Sequence, residues 1–178
     1  VRDVKKSLSE ACNNFFKEKP KNIIAVTGTN GKSSVADFFY QILSLNKVTA
    51  SSIGTLGIRS KKYNVKTKLT SLNPLSLHKN LQILQKNKVN NVILEASSHG
   101  LDQKRLDSLN INIGIFTNLS HDHLDYHKNM QSYLKSKMYL FKKLLHNKSI
   151  IITDENNIEF KKIEKLAKKR KLKTVNIG

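Results

Sequence analysis

A chain of 178 residues suits one domain, and its apolar share of 38% is low but falls in short blocks, which excludes a solvated coil and implies a core. No run approaches the ~18 apolar residues of a membrane span, no signal peptide opens the chain, and the single Cys12 excludes an internal disulfide and fits a reducing, cytoplasmic setting. The net charge of +19 invites a nucleic-acid reading, but the lysines spread through most helical segments rather than along one stripe, which favours a basic, solvated surface that also attracts anionic substrates.

The chain opens on Val1 rather than Met, and an excised piece of a longer polypeptide is the expectation. Residues 1–19 are predicted to form a helix, with Val4, Leu8, Cys12 and Phe15 at helical spacing and Pro20 closing it. Residues 22–27 form the first strand. A helix over 33–46 follows, with Val35, Phe38, Phe39, Ile42 and Leu43 on its buried side. Short strands are expected at 48–53 and 54–58, then a basic loop or hairpin at 60–68. A helix begins at Pro74 and continues through Leu75, Leu77, Leu81 and Leu84. Strands at 89–96, 112–118, 149–153 and 174–177 alternate with a long helix at 129–146 and a basic helix at about 157–171. This alternation predicts an α/β fold: a mostly parallel sheet with helices on both faces.

The chemistry is concentrated after three of these strands. Between the first strand and its helix runs Thr27-Gly28-Thr29-Asn30-Gly31-Lys32-Ser33-Ser34. Glycines let the backbone approach a phosphate, and a helix start points free N–H groups at it. Lys32 suits the terminal phosphates, and the Ser33 hydroxyl suits a magnesium ion. The loop departs from the full G-x-x-x-x-G-K-[ST] pattern, because Val26 stands where the first glycine belongs. The strand at 89–96 ends in Glu95-Ala96-Ser97-Ser98-His99-Gly100. The strand at 112–118 leads into Asn118-Leu119-Ser120-His121-Asp122-His123-Leu124-Asp125-Tyr126-His127. Ends of parallel strands share one rim, so the topology predicts that Lys32, Glu95 and His123 meet there. Three histidines and two acids within seven residues match no zinc pattern, and Ser97-Ser98 lacks a nucleophile elbow, which disfavours hydrolase chemistry.

These three motifs, in this order and separation, resemble the central domain of the Mur ligases, over nearly the whole chain. The forms Glu95-Ala96-Ser97-Ser98-His99-Gly100-Leu101 and Asp122-His123-Leu124-Asp125-Tyr126-His127 point to the member that adds the third amino acid. The resemblance implies an ATP- and Mg²⁺-dependent ligase of peptidoglycan synthesis, joining an amino acid to UDP-MurNAc-dipeptide through an acyl phosphate. It also implies that residues 1–178 are the central domain alone, without the flanking uridine-side and amino-acid-side domains, and turn over poorly by themselves.

By the same resemblance, Gly28, Thr29, Asn30, Gly31, Lys32, Ser33, Ser34 and Asn118 bind ATP. Ser33 and Glu95 hold one magnesium, and His123 helps with a second. Lys137 falls where the family carries a carbamylated lysine. Spacing alone would leave Lys137 as one more surface lysine. Thr70, Ser71, Ser97, Gln103 and Arg105 fall on the sugar–peptide side, and Asp154-Glu155-Asn156 near the nucleotide. The family's T-T-P stretch is here Thr70-Ser71-Leu72-Asn73-Pro74, a departure centred on Leu72. Two other readings remain open: a sister ligase such as folylpolyglutamate synthase, and a non-catalytic module holding nucleotide or nucleic acid.

Overall fold

The computed structural model describes residues 3–178. Seven strands form one sheet in the order β3-β2-β4-β1-β5-β6-β7. They are β1 (Asn22–Thr27), β2 (Ala50–Gly54), β3 (Gly57–Ser60), β4 (Asn91–Glu95), β5 (Ile111–Phe116), β6 (Leu145–Asp154) and β7 (Lys173–Ile177). Every pairing is parallel except β2 with β3, which a tight turn joins antiparallel. The helices are α1 (Val4–Phe15), α2 (Lys32–Leu45), α3 (Pro74–Lys86), α4 (Ser98–Asp102), α5 (Leu124–His127), α6 (Met130–Tyr139) and α7 (Phe160–Arg170). The α/β reading and its mostly parallel sheet hold. The first two residues of the first expected helix lie outside the described residues.

The two faces of the sheet are covered unequally. Ile23, Ala25, Val92 and Leu94 join a large core with Leu77, Leu81 and Leu84 of α3, Phe141, and Ile163 of α7. The opposite face holds a small cluster of Ile24, Val26 and Ile93 under Ala36 of α2, with Val35, Phe39, Ile113 and Ile115 at its margin. Register carries this second face from Ile115 to Ile152 and on to Val175, which is exposed.

Several sequence expectations need correction. Val4, Leu8 and Phe15 of α1 are exposed, and the buried residues of that helix are Ser9 and Cys12. The Ser9 hydroxyl is drawn inward because it donates to the Lys104 carbonyl. On α2, Phe38 and Ile42 face outward, because the helix rests on the sheet along a narrow stripe centred on Ala36. The long helix expected over 129–146 ends at Tyr139. A π-helical turn, Leu140–Leu144, then carries the chain straight into β6. The turn buries Leu140, Phe141 and Leu144, and the Arg170 guanidinium satisfies carbonyls that this ending frees, at Phe141 (2.6 Å) and Leu145 (2.8 Å). The short helices α4 and α5 fall inside stretches whose motifs had no helical period.

Caps place the remaining helices. Asn73 accepts from the Ser76 N–H with Pro74 just inside α3, and Asn129 accepts from the Ser132 N–H to start α6. Lys47, Lys88 and Lys171 follow α2, α3 and α7 in left-handed conformations, where glycine is usual.

Candidate functional site

β1 runs into the loop 28–31, and Gly31 turns it into α2 at φ 82°, a left-handed value that favours glycine. β5 anchors this loop from the side. The Asn118 carbonyl accepts from the Thr29 N–H (2.9 Å), the Asn118 side chain accepts from the Asn30 N–H (2.9 Å), and the Thr117 hydroxyl donates to the Asn30 carbonyl (2.7 Å). The start of α2 thereby faces a cavity of about 260 Å³, lined by Thr29 to Ser34, Thr55, Thr70, Glu95, Ser97, Ser98, His123 and Lys137. The predicted convergence of Lys32, Glu95 and His123 is therefore present.

Glu95 ends β4 and is 3% exposed. Its carboxylate accepts from the Ser33 hydroxyl (2.8 Å), the Thr55 N–H (2.8 Å) and the Thr55 hydroxyl (3.2 Å). Gly54 leaves room for it: a Cβ there would lie 2.0 Å from a Glu95 carboxylate oxygen. Lys32 folds back on the loop, donating to the carbonyls of Gly28 (3.0 Å) and Thr29 (2.8 Å). Burial lowers its pKa, while Glu95 and Asp122 pull the other way.

Lys137 is the residue on which expectation from spacing and structure differ most. It is 1% exposed, and its ammonium donates to the Gly28 carbonyl at 2.6 Å. Its Nζ lies 4.2 Å from the centre of the Tyr133 ring. Burial, and next the charge of Lys32, bring its pKa down to about 7, against a weaker upward pull from Asp122. It is not a surface lysine.

His123 lines the cavity, half-exposed, with its Nε2 3.4 Å from Asp122. The other two histidines of the motif diverge: His121 is exposed, and His127 is buried against Tyr133. His99 packs against three rings of this stretch, its centre 4.1 Å from that of Tyr126, 5.0 Å from that of His123 and 5.5 Å from that of His127. Burial, and then His123, lower its pKa.

The residues expected on the sugar–peptide side form one connected edge. The Thr70 hydroxyl lies 3.1 Å from that of Thr55, and the Ser71 hydroxyl 3.0 Å from that of Ser97. Arg105 donates to the Ser71 carbonyl (2.7 Å) and, through two nitrogens, to the Gln103 side chain (3.0 and 2.6 Å). Leu72 is buried, so the departure from T-T-P there faces the core. Beside the expected nucleotide residues 154–156, the Asn157 amide donates to the carbonyl of Thr117, the residue just after β5 (2.8 Å). Thr55, which lines the cavity, and Tyr133, which touches Thr29 and Lys137 behind it, are residues that sequence reasoning missed. For Thr55, the adjoining Gly54 was the available signal.

Among the described residues, no three His, Cys, Asp or Glu side chains gather as a metal cluster. The donors that do converge, the Ser33 hydroxyl and the Glu95 carboxylate, are hard oxygens. They suit a magnesium ion that takes its remaining ligands from phosphate and water.

A glycine-turned loop between a parallel strand and a helix, with a lysine and a buried carboxylate beside it, defines a phosphate-loop α/β domain. Residues 26–178 match the Mur ligase middle domain, and the chain belongs to the Mur ligase family. It is 43% identical over 182 residues to the UDP-N-acetylmuramoyl-L-alanyl-D-glutamate–2,6-diaminopimelate ligase of Rickettsia bellii, covering all of this chain and 38% of that one. A solved structure of a ligase of the same name superposes with a TM-score of 0.81 at 29% identity, over 97% of this chain and 35% of that one. A bifunctional folylpolyglutamate synthase/dihydrofolate synthase, solved with Mn, AMPPNP and L-glutamate, shares the fold with a TM-score of 0.67 at 15% identity, over 97% of this chain and 46% of that one. This chain thus spans about 38% of the length of the Rickettsia bellii relative. Among the described residues no helix is long and apolar enough to cross a membrane.

Proposed function

We propose that this chain is the middle, ATP-binding domain of a cytoplasmic ligase that joins 2,6-diaminopimelate to UDP-N-acetylmuramoyl-L-alanyl-D-glutamate in peptidoglycan synthesis. The observation that carries this reading is the gathering of Lys32, Glu95 and the buried Lys137 around one cavity at the ends of β1 and β4. The similarity to ligases named for that reaction gives its direction. A folylpolyglutamate synthase is the sister reading, supported at the level of fold alone.

The reaction brings two anions together, a triphosphate and a carboxylate, so cations must offset their repulsion. The loop N–H groups and Lys32 would hold the β- and γ-phosphates, releasing the Gly28 and Thr29 carbonyls that Lys32 now occupies. Ser33 and Glu95 would hold magnesium, with His123 nearby for a second ion. The bound metal supplies charge neutralisation on the phosphate oxygens. The substrate carboxylate would take up the γ-phosphoryl group and ADP would leave. The amine of the incoming amino acid would then attack the acyl carbon, expelling phosphate and losing a proton as the amide forms. Thr70, Ser71, Ser97, Gln103 and Arg105 would orient the sugar–peptide.

Lys137 fits the carbamate role on chemical grounds. With a pKa near 7, part of its amine is neutral at neutral pH, and the neutral amine is the form that adds carbon dioxide, losing a proton. The resulting anion would tolerate Mg²⁺ where an ammonium would be repelled.

The test is phosphate release in a protein of the relatives' length, supplied with ATP, Mg²⁺, UDP-MurNAc-L-Ala-D-Glu and diaminopimelate. The reading expects release that depends on both substrates, and little or none from residues 1–178 alone. Release driven by a folate and glutamate, and not by the UDP substrate, would overturn it in favour of the sister reading.

A further inference from the structure

We propose that Tyr133 is a positioning residue for the nucleotide site, holding the phosphate loop at its working depth through Thr29. The inference rests on the reading of this cavity as a nucleotide site. Tyr133 is fully buried, and its hydroxyl lies 3.2 Å from the Thr29 Oγ1. Thr29 Oγ1 accepts from the Ser120 N–H at 3.0 Å and lies 3.3 Å from the Ser120 carbonyl. A threonine hydroxyl can donate once and accept twice. With Tyr133 donating to it and the Ser120 carbonyl receiving its proton, every bond Thr29 can make is used. Three segments then meet at one oxygen: the phosphate loop, the stretch after β5, and α6.

The same helix grips the loop a second time. Tyr133 and Lys137 stand four residues apart and so share a face of α6. One meets Thr29, and the other donates to the Gly28 carbonyl at 2.6 Å. Consecutive loop residues are therefore braced from consecutive turns of one helix. These two residues also supply the carbonyls to which Lys32 donates, so the brace sets where Lys32 begins its reach. A ring in this place needs no hydroxyl to fill the core. Burial, partly offset by the bond to Thr29, raises the phenol pKa and keeps it a donor at neutral pH.

The test is calorimetric affinity for Mg·AMPPNP, in a protein of the relatives' length, of wild type, Tyr133→Phe, Thr29→Val and the double variant. Tyr133→Phe keeps the ring and is expected to bind about 5–10-fold more weakly, the worth of one buried hydrogen bond. Its melting temperature without nucleotide should stay within about 4 °C of wild type. If the phenol acts through Thr29, the double variant should lose no more than Thr29→Val alone, whereas independent effects would multiply. Wild-type affinity in Tyr133→Phe, or losses that multiply in the double variant, would overturn the role of Tyr133 and leave the nucleotide reading intact. Absence of binding in the wild-type chain would overturn both. Should Tyr133→Phe fail to fold, Thr29→Val carries the test alone: a 5–10-fold loss supports the brace and wild-type affinity overturns it.

Discussion

The two rims of the sheet carry lysine to opposite ends. At the C-terminal rim Lys32 is half-buried and Lys137 is sealed, both bonded to loop carbonyls and lining one cavity with Glu95. At the N-terminal rim Lys47, Lys61, Lys62 and Lys88 surround a larger cavity of about 600 Å³, and all four are exposed. No carboxylate lines that second cavity. Water already solvates its charges, so an anion there displaces good partners for little gain. At the first rim, burial has removed the water, and a phosphate would find donors waiting. A net charge of +19 describes both rims equally and distinguishes neither. What separates them is desolvation next to fixed dipoles and one acid.

The contrast can be broken in four places. The largest effect is expected from Lys32→Ala, which should weaken Mg·AMPPNP binding to residues 1–178 by about 100-fold, as loss of a charge-assisted contact to phosphate. Affinity within threefold of wild type, by calorimetry, would remove the distinction between the rims.

Next comes a dependence on pH. The Lys137 amine has a pKa of about 7 when folded against 10.5 as the reference for an exposed lysine. Between these values the unfolded chain binds the extra proton, so stability rises with pH, by at most about 1.4 kcal/mol per unit. Below about pH 7 both states are protonated and this contribution to the slope vanishes. Urea unfolding in CO₂-free buffer should show wild type gaining about 2 kcal/mol more than Lys137→Met between pH 7 and pH 9. Equal gains would mean that Lys137 is solvated like the lysines of the other rim.

Glu95→Gln should cost about 10-fold in affinity measured with Mg²⁺ and little in its absence, because the amide keeps an acceptor for Thr55 but loses the charge. A loss that ignores magnesium would remove Glu95 from the metal site. The smallest effect is at the far rim. Lys88→Gly relieves a left-handed lysine and should raise stability by about 1 kcal/mol while leaving nucleotide affinity within twofold.

Much of the sheet and of its working rim was legible in the sequence, for a physical reason. Buried parallel strands read as apolar runs, and polar residues directly after them have only one rim to occupy. Lys32, Glu95 and His123 follow from that logic. Lys137 does not, because helical period cannot tell a lysine turned toward the loop from the neighbouring exposed Lys135. Burial of the former comes with a bond to the Gly28 carbonyl, 109 residues away in sequence. Thr55 was hidden for a similar reason: its bond to Glu95 spans 40 residues and uses a backbone N–H that every residue has. The outward apolar residues of α1 and α2 were misread because a helical stripe reports amphipathicity and not the breadth of the surface beneath it.

The central claim is tested most directly by a crystal structure of residues 1–178 with Mg²⁺ and AMPPNP. The account predicts the terminal phosphates against the loop N–H groups and Lys32, with the metal touching the Ser33 hydroxyl and the Glu95 carboxylate. Nucleotide seated among Lys47, Lys61, Lys62 and Lys88, or a metal remote from Ser33 and Glu95, would contradict it.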